Sequence, residues 1–164
     1  MHMALEQKLW TIAELHRLPD DGNKYEVVRG ELFVTPAPTE GHETLAALLS
    51  RLLEPYVREN DLGLIFHPRA VFRVRHSEVE PDLMIRRQQR GRHRAWLGAP
   101  LPILIVEILS PSTRRRDHVQ KRDFYLDEGI PEYWIVDPEE WTIRVSRPDA
   151  EDVVADKSLI WRRG

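Results

Sequence analysis

The stretch Pro102-Ile103-Leu104-Ile105-Val106-Glu107-Ile108-Leu109 sets the fold class. Seven of its eight residues are apolar or proline, and the exception is a glutamate. A continuous apolar run of this length reads as a strand covered on both faces. Downstream, Ser112 to Glu128 reads as a helix, with Ser112 or Thr113 as its N-terminal cap and Gly129 at its C′ position. Glu132 to Val136 is the next strand. A strand–helix–strand unit of this kind predicts an α/β or α+β protein with a central mixed sheet flanked by helices.

Working outward, three strands are predicted upstream: Leu62 to Phe66, Arg69 to Arg75, and Glu80 to Ile85, the last opened by Pro81. A basic loop, Arg86 to Pro100, joins them to the apolar run. Further back, Thr11 to His16 reads as a short helix with Thr11 and Glu14 as a capping box. Lys24 to Thr35 reads as a hairpin turning at Arg29-Gly30. His42 to Val57 is the clearest helix, with Leu45, Leu48, Leu49, Leu52 and Leu53 on one stripe and Pro55 near its end. On the far side, Asp137-Pro138-Glu139-Glu140 is a turn into a last strand, Trp141 to Ser146. The expected organisation is one domain, 1–164. It comprises a helix and hairpin over 11–36, a core over 41–147 and a tail over 148–164.

Composition narrows the class. The chain of 164 residues is 41% hydrophobic and 31% charged and has no cysteine, which excludes disulfide scaffolds, thiolate metal sites and cysteine nucleophiles. No apolar run nears the roughly 20 residues that span a bilayer, and Met1 to Trp10 lacks a signal-peptide core, so a cytoplasmic protein without a membrane partner is expected. The net charge of −3 is unevenly spread. Residues 1–85 carry 9 basic and 14 acidic side chains, residues 86–122 carry 10 and 2, and residues 123–164 carry 5 and 11. The central excess of +8 suits a local phosphate-binding face, but for a charge run alone a solvated arginine-rich loop is the favoured reading. Arg86, Arg87, Arg114 and Arg115 are its candidate nucleic-acid contacts. Trp96, beside the first arginine run, reads as a core anchor rather than a base-stacking platform.

Glu107 is the chemical anomaly. An ionised carboxylate within a doubly covered strand costs several kcal/mol, by the usual burial estimate of roughly that size, unless it is paired or bound to a cation. A structural ion pair and a metal-binding role both answer it. Asp82 follows Pro81 at a strand start, where a carboxylate is often only a turn residue. Together, Asp82 and Glu107 are two carboxylates on two strands, a donor set that a hard ion such as Mg²⁺ (or Mn²⁺) takes alongside water and phosphate oxygen. Asp117, Lys121 and Tyr125, at i, i+4 and i+8 on the following helix, share one face close to Glu107.

These residues resemble the Uma-two family of restriction endonuclease-like proteins, long classed as a domain of unknown function, within the PD-(D/E)XK nuclease superfamily. The resemblance rests on Pro81-Asp82-Leu83, on Val106-Glu107-Ile108-Leu109-Ser110-Pro111-Ser112-Thr113, and on Asp117, Lys121 and Tyr125. It also rests on Gly129-Ile130-Pro131-Glu132-Tyr133-Trp134-Ile135-Val136-Asp137 and on Tyr25 to Leu32 with Pro36 and His42. It spans residues 11–147 and implies a restriction endonuclease-like core with Asp82 and Glu107 as metal ligands. The usual motif places lysine at position 109, where this chain has Leu109; the resemblance implies that its role moves to Lys121. Glu26 and His42 match the family's opening, and Glu43 is a further acid on the first long helix. The family often runs on through another strand beyond Trp161.

The resulting expectation is a Mg²⁺-dependent endonuclease that hydrolyses DNA phosphodiester bonds. Asp82 and Glu107 hold the metal, Lys121 positions the attacking water, and the chain pairs as a homodimer by analogy with two-fold enzymes of this fold. The rival is a non-catalytic nucleic-acid- or protein-binding module on the same fold, which Leu109 favours. Hydrolysis of a small phosphoester is a third, weaker reading.

Overall fold

In the computed structural model, residues 8–91 and 95–162 are described; Arg92 to Arg94, part of the basic loop, lie outside the described residues. The apolar run forms strand β7, Leu104–Ile108, buried along its whole length. It lies within a six-stranded sheet together with β3 (Leu64–Phe66), β6 (Leu83–Arg86), β8 (Tyr133–Asp137), β9 (Thr142–Ser146) and β10 (Val153–Ala155). The spatial order is β10-β9-β8-β7-β6-β3. Only the β7–β8 pairing is parallel, because the helical crossover lies between those two strands. A four-stranded antiparallel sheet, in the order β2-β1-β5-β4, covers part of one face with β1 (Lys24–Val28), β2 (Glu31–Thr35), β4 (Phe72–Val74) and β5 (Ser77–Val79).

Alternation along β7 divides its side chains between two cores. Leu104, Val106 and Ile108 pack with Leu53 and Val57 of helix α2, Glu40–Glu59. Ile105 and Leu109 join the other core, built from Val28, Phe33 and Phe72 of the small sheet and from Phe124 and Tyr125 of helix α3, Arg122–Asp127. Glu107 therefore faces the second layer, toward the small sheet and the crossover helix.

The capping box at Thr11 forms around α1, Ile12–Leu15. The hairpin turns at Arg29 and Gly30, with φ of 52° and 85°, the left-handed pair that a tight hairpin of this twist needs. Packing adds detail that the sequence reading lacked. Leu48 and Leu52 of the predicted α2 stripe are exposed, whereas Ala46, Leu53 and Val57 are buried and Leu45 and Leu49 are partly buried against the same core. Pro55 lies inside α2 without ending it. Strand β5 was hidden in the polar stretch Arg75-His76-Ser77-Glu78-Val79; it pairs with both β1 and β4, and its Glu78 finds His16 and Arg73. Beyond residue 147, β10 extends the large sheet, and Trp161 packs on Tyr56 and Trp134.

Candidate functional site

The register of β6 against β7 pairs Leu83 with Val106 and Met84 with Ile105, so Asp82 stands across from Glu107 one step further on. Directly opposed residues of an antiparallel pair share one face at about 5 Å between Cβ atoms. The Ile108 N–H donates to Asp82 Oδ2 at 2.7 Å, which fixes that carboxylate from the neighbouring strand. His42, in the first turn of α2, also meets Oδ2 through Nε2 at 3.1 Å. Lys24, at the start of β1, lies 3.4 Å from Asp82 Oδ1 and donates to the Glu80 carbonyl at 3.1 Å.

Glu107 is held from the helix side. Lys121 Nζ donates to its Oε1 at 2.7 Å and Tyr125 Oη at 2.8 Å. Lys121 also lies 2.9 Å from Glu26 Oε2. The segment carrying Lys121 is a π-helical turn, Arg116–Lys121, that runs directly into α3. Its Asp117 carbonyl accepts from Tyr133 Oη at 3.2 Å. Widened turns of this kind recur at functional sites, and here the turn sets Lys121 and Tyr125 over the same carboxylate oxygen. Neither Ser112 nor Thr113 caps the helix; Thr113 Oγ1 instead accepts from Ser110 N in a local turn.

These groups border a cleft of about 740 Å³ between the sheets, lined by Lys24, His42, Asp82, Glu107, Asp117 and Arg116, with Ser110 to Thr113 along one wall. Its electrostatics are uneven. Burial drives Glu107 up to about 7, against the pull of Lys121. Burial pushes Asp82 the same way, but Lys24 and the His42 hydrogen bond outweigh it and hold its pKa below the usual carboxylate range. The hydrogen bond to Asp82 raises His42. Burial raises Asp117, whose Oδ1 is enclosed and has no hydrogen-bond partner. Glu26, Asp82, Glu107 and Asp117 thus set four carboxylates against two lysines.

That donor chemistry fits a hard divalent ion. Among the described residues no group of three or more His, Asp or Glu side chains forms a ready metal cage. Magnesium ordinarily takes one or two protein carboxylates and keeps water and substrate oxygens for the rest, so the opposed pair of Asp82 and Glu107 is a sufficient protein share.

Asp82, Glu107, Lys121, Glu26, His42, Asp117 and Tyr125 all gather here. Glu43 lines the outer part of the same cleft, its exposed side chain 3.3 Å from His42 Nδ1. The arginines expected to grip nucleic acid are not gathered at the cleft. Arg86 is buried at the opposite end of β6 from Asp82, stacked on Phe66 and near Trp96. Arg87 lies near Asp61, and Arg114 is engaged by Asp137 and Glu139. Arg115 is exposed away from the lining. Trp96 is partly exposed rather than a core anchor. The cations that do line the cleft are Lys24, Arg69 and Arg116. Lys24 escaped the sequence reading. Its one signal is its i, i+2 spacing from Glu26, which puts both on the inner face of β1.

A mixed sheet with two carboxylates opposed on adjacent strands and a lysine from the crossover helix defines a nuclease-like fold. A crystal structure of "a putative nuclease belonging to DUF820" from Anabaena variabilis superposes on it with a TM-score of 0.79 at 21% identity, over 94% of this chain and 89% of that one. The chain belongs to the Uma2 family, described as "Putative restriction endonuclease", which matches residues 12–159. No curated protein matches it. Among the described residues no helix is long and apolar enough to cross a membrane.

Proposed function

We propose that the protein is a divalent-metal-dependent endonuclease that hydrolyses phosphodiester bonds in DNA. The observation that carries this reading is the opposition of Asp82 and Glu107 across β6 and β7 at the floor of the cleft. Bound at these two carboxylates, Mg²⁺ or Mn²⁺ supplies Lewis acidity and lowers the pKa of water. The chain's own residues do the positioning. Ile108 N–H and His42 orient Asp82. Lys121 and Tyr125 hold Glu107 through Oε1. Arg116 and Arg69 place guanidinium groups along the cleft, suited to flanking phosphates.

In the reaction a water oxygen bonds to phosphorus and one ester P–O bond breaks. The water's proton is lost to solvent and the leaving oxygen takes one up, giving a phosphomonoester and a free hydroxyl. Cutting both strands calls for two such sites, supplied by a two-fold pair of chains.

The test is cleavage of supercoiled plasmid in Mg²⁺ or Mn²⁺, with EDTA and Glu107→Ala controls. Metal-dependent nicking or linearisation that disappears in Glu107→Ala supports the enzyme. Salt-dependent DNA binding without cutting in either metal overturns it in favour of a non-catalytic binding module on the same fold, the reading that Leu109 favours.

A further inference from the structure

Two lysines reach the carboxylates of the cleft, and they are not equivalent. Lys121 is enclosed, with its side chain 1% exposed, and its ammonium is used by Glu107 at 2.7 Å and Glu26 at 2.9 Å. It does not line the cleft. Lys24 lines the cleft, its side chain is 18% exposed, and its 3.4 Å pairing with Asp82 is longer than either carboxylate contact of Lys121. It stands at the first residue of β1, so its four-carbon stem leaves the sheet at a strand end. An ammonium that must meet a substrate needs access and a weak prior partner; one that holds carboxylates in place needs burial and short bonds.

Resting on the nuclease reading above, we infer that Lys24 is the lysine that touches the substrate, its ammonium meeting a non-bridging oxygen of the scissile phosphate, and that Lys121 is a positioning residue for Glu107 and Glu26. As charge builds on the phosphate oxygens, Lys24 leaves the long contact with Asp82 for a closer one with the substrate. The Glu80 carbonyl, 3.1 Å away, keeps the ammonium at the mouth of the site throughout. Lys121 has no such freedom, because moving it strips two buried carboxylates of their nearest counter-charge.

The experiment compares wild type, Lys24→Met, Lys24→Arg and Lys121→Met as full chains. Three quantities are read: plasmid cleavage in Mg²⁺, affinity for a DNA duplex in Ca²⁺ across a salt series, and the melting temperature in EDTA. Lys24→Met is expected to lower the cleavage rate by about 10²-fold, the usual effect of removing one preorganised donor to developing charge. It should make the log affinity–log salt slope shallower by about one, for one lost phosphate contact, and lower the melting temperature less than Lys121→Met does. Lys24→Arg should recover part of the cleavage and the full salt slope. Lys121→Met should lower the melting temperature and leave the salt slope at the wild-type value.

If Lys24→Met cuts and binds as wild type does, the inference is overturned. A folded Lys121→Met that takes the shallower slope overturns it as well. Should wild type fail to cut in either metal, the nuclease reading falls, while the salt slopes still decide between the two lysines.

Discussion

Lys24 with Asp82 and Lys121 with Glu107 are the same pair of residue types about one cleft, built to different specifications. The Lys121 side is closed: 2.7 Å to Glu107, a second carboxylate at 2.9 Å, and Tyr125 on the same oxygen. The Lys24 side is open, with a 3.4 Å contact and a partly exposed ammonium. In a low-dielectric setting a short, doubly used ion pair resists rearrangement, while a long contact at the edge of solvent gives way easily. One side works as scaffold and the other is free to exchange partners.

The largest way to break this contrast is through stability. Lys121→Met strips Glu26 and Glu107 of their nearest counter-charge and should cost about 3–5 kcal/mol, the usual penalty for halving a buried pair. Urea unfolding in EDTA measures it, and a cost below that of Lys24→Met would erase the distinction.

Next comes pH. A carboxyl held at about 7 in the folded chain, against 4.5 ordinarily, favours folding in its protonated form. That stabilisation is complete below about 4.5 and is lost as pH rises through 7. His42, raised above its ordinary 6.5, adds in the same direction. Asp82, lowered from 3.8, acts in the opposite sense and only in acid. Metal-free protein should therefore lose about 2 kcal/mol between pH 5 and 8, and Glu107→Gln should flatten most of that slope. A wild-type stability that rises over this interval contradicts the assignment.

Tyr125→Phe removes one hydrogen bond to Glu107 and should cost about 1.5 kcal/mol, as bonds to charged groups do. Thermal melts at pH 8, where Glu107 is ionised, show it best. The smallest effect sharpens the comparison from the open side. Lys24→Met should cost less than Lys121→Met in urea unfolding, because the Ile108 N–H and His42 still hold Asp82.

Much of this site was legible along the chain. Glu107 announced itself as a charge inside an apolar strand, and Asp82 followed a proline that marks a strand start. The i, i+4, i+8 spacing placed Asp117, Lys121 and Tyr125 on one face, and all three are buried there. The directions of the arginines were not legible, because a run of like charge says nothing about where each side chain turns: Arg86 packs on aromatic rings and Arg114 pairs with Asp137. Strand β5 was missed because its polar side chains are satisfied by tertiary partners, Glu78 by distant His16 and by Arg73 across the β4–β5 pairing.

What the sequence by itself determined is local: the doubly covered strand, the crossover that makes β7 and β8 parallel, the hairpin at Arg29-Gly30, and the types of residue at the site. Periodicity and turn chemistry act over a few residues, so they can be read without the fold. Only the tertiary structure decided which lysine is enclosed and which is open. That choice depends on strand register and on how β1 packs over β6 and β7, contacts between residues as far apart as Lys24 and Asp82.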